Sequence, residues 1–159
     1  MAPNFMVLGA SVVLIGPEGE RTLPLAEFYE LDGMKKNVLK TGEFLLKVVL
    51  PETSLQRKGC YQKLRVRDSW DFPEAGVAAS WVPGDASTLL VASTALESIP
   101  RLHAEQVDQH LAEGDLDPVG LAKTVQKSVK PVNNTALPPR YRRAMVKTLT
   151  KRALQGILE

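Results

Sequence analysis

The order in which two hydrophobic periodicities appear constrains this chain most. As far as Ala95 the apolar residues come in short extended runs punctuated by Gly, Pro, Ser and Asp, and beyond Pro100 they recur at helical spacing. Strands followed by helices are the pattern of an α+β fold, in which helices cover an antiparallel sheet. Strand candidates fall at Phe44 to Leu50, Gly59 to Arg67, Ala75 to Val82 and Thr88 to Ala95, so a sheet of three to four strands is expected.

The helical part divides at its own punctuation. Pro100 suits a first turn, with Ala104, Val107 and Leu111 on one face and a stop at Gly114. Asp117-Pro118 opens a second helix striped by Leu121, Val125 and Val129, which ends before Pro131. Pro138-Pro139 precedes a last helix with apolar positions Tyr141, Met145, Leu149, Ala153 and Ile157. At the other end, Ser11 to Ile15, the turn Gly16-Pro17-Glu18-Gly19 and Arg21 to Leu25 read as a hairpin, and Leu25 to Gly42 as a long ordered loop. A lone hairpin is marginal in water. It is therefore expected to be left over from a sheet whose other strands lie upstream.

Composition excludes several functions. Twenty Lys and Arg against 18 Asp and Glu give a net charge of +2, which makes no case for a nucleic-acid or membrane partner. The single cysteine, Cys60, forms no internal disulfide and holds no iron-sulfur cluster alone, so a reducing, cytoplasmic setting is expected. Phe5 to Gly16 is apolar but lacks a preceding basic segment and a small-residue cleavage site, and it reads as a strand. No apolar run approaches the ~20 residues of a spanning helix. His103 and His110, seven apart on a helix, sit about 10 Å from each other along its axis, too far to share a metal directly. No nucleophile motif is present, since Ser11 and Ser80 lack the G-x-S-x-G setting. Gly16-x-x-Gly19 is explained by the hairpin turn, not by a phosphate loop.

Two features leave alternatives open. Alternation along Gly59 to Arg67 puts Cys60, Leu64 and Val66 on one face and Tyr61, Lys63, Arg65 and Arg67 on the other. That cationic face suits either the solvated side of a sheet or a wall for an anionic, flavin-like ligand. The last helix carries Arg140, Arg142, Arg143, Lys147, Lys151 and Arg152 with no acid among them. A solvated face, docking to an acidic partner and nucleic-acid binding all fit this. Base stacking, however, needs aromatics, and Tyr141 is the helix's only one.

Several segments, taken in order, resemble one family. Leu8 to Leu14 with Gly19 to Leu25 looks like the closing hairpin of a flavin domain, followed by Glu27-Phe28-Tyr29. Leu39-Lys40-Thr41-Gly42-Glu43-Phe44-Leu45 resembles a Leu-x-Pro-Gly-Glu-hydrophobic-Leu segment, with Thr41 in place of the proline. Tyr61-x-Lys63, Arg67 and Asp71 follow a Lys-x-x-x-Arg-x-x-x-Asp spacing, with Gly76-Val77-Ala78 behind. Read together, the chain resembles the C-terminal portion of the FAD-binding medium subunits of the molybdenum hydroxylases: xanthine dehydrogenase, carbon monoxide dehydrogenase and 4-hydroxybenzoyl-CoA reductase. Arg65, Ser69, Trp70, Asp71, Phe72 and Pro73 lean towards the last branch.

The resemblance implies an oxidoreductase subunit that relays electrons between FAD and iron-sulfur clusters. Its implied partners are a molybdopterin-binding large subunit and a small subunit with 2Fe-2S clusters. Residues 1–42 would be the end of the FAD-binding domain, hairpin and loop, and 43–159 a C-terminal α+β domain. Glu43, Phe44 and Leu45 would pack at the isoalloxazine and Lys63 would supply a positive charge, with no catalytic or metal-ligating residue. The Gly-rich segments that cradle the FAD pyrophosphate in the family have no match, so this polypeptide alone is expected to bind FAD weakly or not at all and to be inactive. The alternative is a non-catalytic docking module that uses its basic last helix.

Overall fold

The computed structural model describes residues 1–32, 34–68, 70–114 and 116–159. Ser69, one of the residues compared above, lies outside them. The chain opens with a short helix, α1 (Ala2–Val7), then a hairpin of β1 (Ser11–Gly16) and β2 (Gly19–Pro24) and a 3-10 turn at Leu25–Phe28. Next come β3 (Phe44–Val49), β4 (Lys58–Leu64), β5 (Ala75–Val82), β6 (Asp85–Thr94) and β7 (Arg101–Leu102). Helices α2 (Ala104–Ala112), α3 (Pro118–Ser128) and α4 (Pro139–Leu158) complete it.

Two antiparallel sheets result, one ordered β2-β1-β3 and one ordered β4-β5-β6-β7. The α+β class with a four-stranded sheet under C-terminal helices is as expected from the sequence. Membership of the sheets is not. Phe44–Val49 joins the first sheet by pairing with β1, Ser11 opposite Val49 and Val12 opposite Val48. Its place in the second sheet is filled by Arg101–Leu102, which pairs with Ala92 and Ser93 and delays the helix expected at Pro100 until Ala104.

The second sheet is covered on both faces, and the alternation of its strands sorts the two cores. Ala75, Val77 and Ala79 of β5 and Leu89 and Val91 of β6 meet Val107, Leu121, Val125, Val146 and Leu149 of the helices. Ala78 and Ala92 turn the other way and meet Met6 and Val7 of α1 with Val12 and Leu14 of β1. The small residues of β5 let both layers approach closely. Of the stretch expected to be a strand, Phe5 to Val7 instead ends helix α1, because Pro3, Met6 and Val7 bury a face at i, i+3, i+4 spacing and Gly9, at φ 73°, turns the chain out of it.

The helices begin and end for local reasons. Asp117 caps α3, its carboxylate accepting from Val119 N at 2.9 Å and Gly120 N at 2.7 Å. The other end of α3 is capped from α4, where Arg143 donates to the carbonyls of Gln126 at 3.0 Å and Lys127 at 2.9 Å. The buried face of α4 is Arg142, Val146, Leu149, Thr150, Ala153, Leu154 and Ile157, which leaves Tyr141 exposed, contrary to its assignment to the apolar stripe.

The inward Arg142 is a joint. Its Nε donates to Glu74 O at 2.8 Å and its Nη1 to Val132 O at 2.7 Å, while its Nη2 bonds Ala95 O. Ala95 holds a left-handed φ of 63° that a non-glycine residue rarely adopts. One guanidinium thus fixes α4 to the ends of two sheet connections.

Candidate functional site

Glu43 is set by the turn before it. Gly42 takes a φ of 81°, which favours glycine, and swings the Glu43 side chain back across the hairpin towards β2. There Arg21 grips it bidentately, Nε to Oε1 and Nη2 to Oε2, each at 2.8 Å. Lys40 N adds a third donor at 2.7 Å, and Arg21 Nη2 also reaches Val38 O at 2.9 Å. The Arg21 guanidinium and then the Lys40 amide hold the Glu43 carboxyl down to about 2. Both oxygens are engaged, so Glu43 fixes the loop onto the hairpin.

The strand that follows is open. Phe44 is 57% exposed and Leu45 38%, and Leu46, Val48, Val49 and Leu50 are exposed too. Because β3 pairs with β1 along one edge and ends the sheet order, its other edge is unpaired among the described residues. Apolar side chains therefore emerge on both faces of a sheet edge, a surface suited to a flat apolar ligand or to another chain.

Lys63 lies on the second sheet's edge strand, β4, opposite Gly76 of β5. It is exposed, and its Nζ donates to Asp71 O. The Asp71 carboxylate ties a knot in the β4–β5 connection. Oδ2 accepts from Val66 N at 3.2 Å and Arg67 N at 2.9 Å, and Oδ1 from the Arg67 guanidinium and Phe72 N, each at 2.9 Å. The Arg67 guanidinium and the backbone amides hold this carboxyl well below the usual carboxylate range. The Lys-Arg-Asp spacing is thus first a loop-closing device. It displays Trp70, 88% exposed, and Phe72, 80% exposed, which the sequence reading named only for their likeness to one branch of the family and not as a surface.

The four expected residues do not form one closed pocket in this chain. Glu43, Phe44 and Leu45 are contiguous, but β3 and β4 belong to separate sheets without a substantial contact among the described residues. The face division along β4 holds as far as Leu64, where the strand ends. Cys60 and Leu64 pack towards the helices, and Tyr61 packs towards the α1 side. Burial raises the Tyr61 phenol above its ordinary value. Behind Tyr61 a cavity of about 200 Å³ is lined by Asn4, Val7, Leu8, Gly59 and Ser80, among others.

The histidines serve structure. His103 is buried between two hydroxyls, Ser93 Oγ at 2.9 Å from Nε2 and Ser128 Oγ at 3.2 Å from Nδ1. Burial, then the nearby Arg101 charge, lowers its pKa to about 4, so it is neutral around pH 7. His110 lies outside this core, with Nε2 at 3.2 Å from Asp117 O.

A hairpin and loop locked by an arginine-carboxylate pair, beside an open apolar edge strand and a second sheet backed by helices, define an α+β protein. Residues 1–53 match the family described as the FAD binding domain in molybdopterin dehydrogenase. Over 153 residues, 93% of this chain, it is 28% identical to the carbon monoxide dehydrogenase medium chain of Afipia carboxidovorans, covering 52% of that protein. The chain thus spans about half the length of the curated relative it matches. Its fold matches a carbon monoxide dehydrogenase from Hydrogenophaga pseudoflava with a TM-score of 0.85 at 23% identity, over 98% of this chain and 55% of that one. Quinoline 2-oxidoreductase from Pseudomonas putida 86 gives a TM-score of 0.76 at 20% identity, over 100% and 57%. Over most of its length the chain is thus similar to a carbon monoxide dehydrogenase medium chain, its first third resembles an FAD-binding domain, and it shares the fold of the two solved structures.

Proposed function

We propose that this chain is part of the electron-transfer subunit of a molybdenum-containing oxidoreductase, in which it contributes to an FAD site. The observation that carries this reading is the match of residues 1–53 to an FAD-binding domain. FAD, when bound, supplies reversible electron transfer between substrate-derived electrons and one-electron carriers. This chain's own part is to offer Phe44 and Leu45 as apolar contacts and Lys63 as a cation that favours the anionic reduced ring. Lys63 Nζ has three donors and its bond to Asp71 O uses one, which leaves charge and donors to spare. Glu43 acts indirectly by holding the loop that delivers Phe44.

The reading includes a molybdopterin-binding large subunit and a small subunit with 2Fe-2S clusters as partners, in the cytoplasm, with no nucleic acid and no membrane. No helix among the described residues is long and apolar enough to cross a membrane. The segment Arg65 to Pro73 resembles the 4-hydroxybenzoyl-CoA reductase branch, which is the finer assignment proposed. A division into the tail of a flavin domain and a C-terminal α+β domain belongs to the same reading, and the pairing of β3 with β1 favours drawing it after Val49.

The test is FAD fluorescence quenching by this chain at high protein concentration. Weak, saturable quenching that falls in Leu45→Asp and in Lys63→Ala is expected. Quenching that is equal in the wild type and both variants overturns the residue assignment.

A further inference from the structure

Charge is segregated along this chain far more than its net value suggests. Nine of the 20 Lys and Arg, and none of the 18 Asp and Glu, lie in residues 118–158, so that segment carries +9 while the rest carries −7. Residues 118–158 are α3, α4 and their connection, which pack against each other on one side of the second sheet. Two of the nine cations have structural work, Arg142 inside the core and Arg143 on the α3 carbonyls. Lys123, Lys127, Lys130, Arg140, Lys147, Lys151 and Arg152 make no ion pair among the described residues.

These free cations line shallow grooves. Lys127 and Arg140 border one with Gln126, and Lys130 and Arg140 border its neighbour, floored by Pro131 and Pro139. Lys147, Lys151 and Arg152 surround a third with Thr148 and Gln155. From Arg140 to Gln155 the strip is roughly 22 Å long at helical rise. Like charges held this close repel one another across less than a Debye length of about 8–10 Å, so a counter-charged surface relieves them.

We infer that the α3–α4 face is a docking surface for an acidic patch on a protein partner. The inference does not depend on the flavin reading, because the face lies on the helix side of the second sheet, whereas Lys63 and Tyr61 share the opposite face of β4. The bounded length of the strip favours a protein over a nucleic acid. A polyanion that runs past the strip meets a body of charge −7, whereas an acidic patch of matching size does not. The groove linings also lack the aromatics that stack bases.

Fluorescence anisotropy with labelled poly-L-glutamate of about 7 residues, whose extended length of about 23 Å matches the strip, tests this. Binding should weaken as salt rises. Combined Lys147→Glu, Lys151→Glu and Arg152→Glu should weaken it about tenfold or more, and Lys35→Glu with Lys36→Glu, on the loop before β3, should leave it unchanged. Lys151→Glu with Arg152→Glu, both exposed, gives the same direction should the triple variant melt early. Arg143 is left intact because it caps α3. Equal binding by the wild type and the triple variant overturns the inference. So does tighter binding of a DNA duplex longer than the strip than of poly-L-glutamate at equal ionic strength. Self-association of the wild type that the triple variant loses overturns it in favour of a second copy as the occupant.

Discussion

The two sheets are built alike and finished differently. In the second, helices cover one face and α1 with the hairpin covers the other, and Val77, Ala79, Val91 and Ala92 are sealed between them. In the first, β1 is buried while β3 exposes every residue from Phe44 to Val49. Both are antiparallel, and strand pairing alone does not distinguish them. The difference lies in what covers them, and it teaches that stability is concentrated in the second sheet and its helices, while the first supplies accessible apolar surface. An open strand contributes little burial to folding, so it is free to serve recognition.

The largest effect should come from cutting the joint under the second sheet. Arg142→Met leaves the carbonyls of Glu74, Ala95 and Val132 without their donor in a buried setting. A loss of about 3–5 kcal/mol is expected from the urea midpoint. Arg142→Lys should recover only part of it, because one ammonium cannot reproduce the planar fork. Next comes Leu121→Ala, which empties a fully buried position between α3 and the sheet and should cost about 2–4 kcal/mol. A loss below about 1 kcal/mol from both would mean that stability is not concentrated there.

The same contrast sets how much was legible beforehand. Periodicity revealed the α+β class, the strands at Ala75 to Val82 and around Lys63, and the Asp117 cap, because each depends on neighbours a few residues away. The partner of β3 was not legible: its composition states that it is a strand, but pairing with Ser11–Ile15 rather than with β4 is set by contacts more than 25 residues away in sequence. The inward turn of Arg142 was hidden for the same reason, since two of its acceptors are the carbonyls of Glu74 and Ala95 in distant sheet connections. In the candidate site, Glu43 was named by resemblance and Lys63 by resemblance and strand alternation, yet Arg21 and Asp71, which hold them, were not weighed as anchors. Opposite charges facing each other across a hairpin or a loop were the available signal.

His103 sharpens the comparison through pH. Its folded pKa, about 4, lies below the ordinary 6.5 because burial between β6, β7 and α3 disfavours the charged ring. Between those values the unfolded chain takes up a proton that the folded chain refuses, so stability falls as pH drops from about 6.5 towards 4 and levels off below. The full loss is up to about 3 kcal/mol. His103→Gln should flatten the stability profile in that window and leave the acid-limb loss from Glu43 and Asp71, whose depressed pKa values stabilise the fold at higher pH. An unchanged slope in the variant between pH 6.5 and about 4.5 would place the titration elsewhere.

The smallest effect belongs to β3, and its smallness is the point. Leu46→Thr and Val48→Thr keep β-branched or compact polar side chains on a strand already open to water, so the urea midpoint should move by no more than about 0.5 kcal/mol. Val91→Thr, the same kind of change made in the sealed sheet, buries a hydroxyl and should cost about 1–3 kcal/mol. Light scattering supplies the second readout: the β3 variants should associate less at high concentration, since an unpaired apolar edge is a template for another strand. If instead Leu46→Thr costs as much as Val91→Thr, β3 packs against a surface in solution. The division between a stable sheet and an available one would then fail at the strand that defines it.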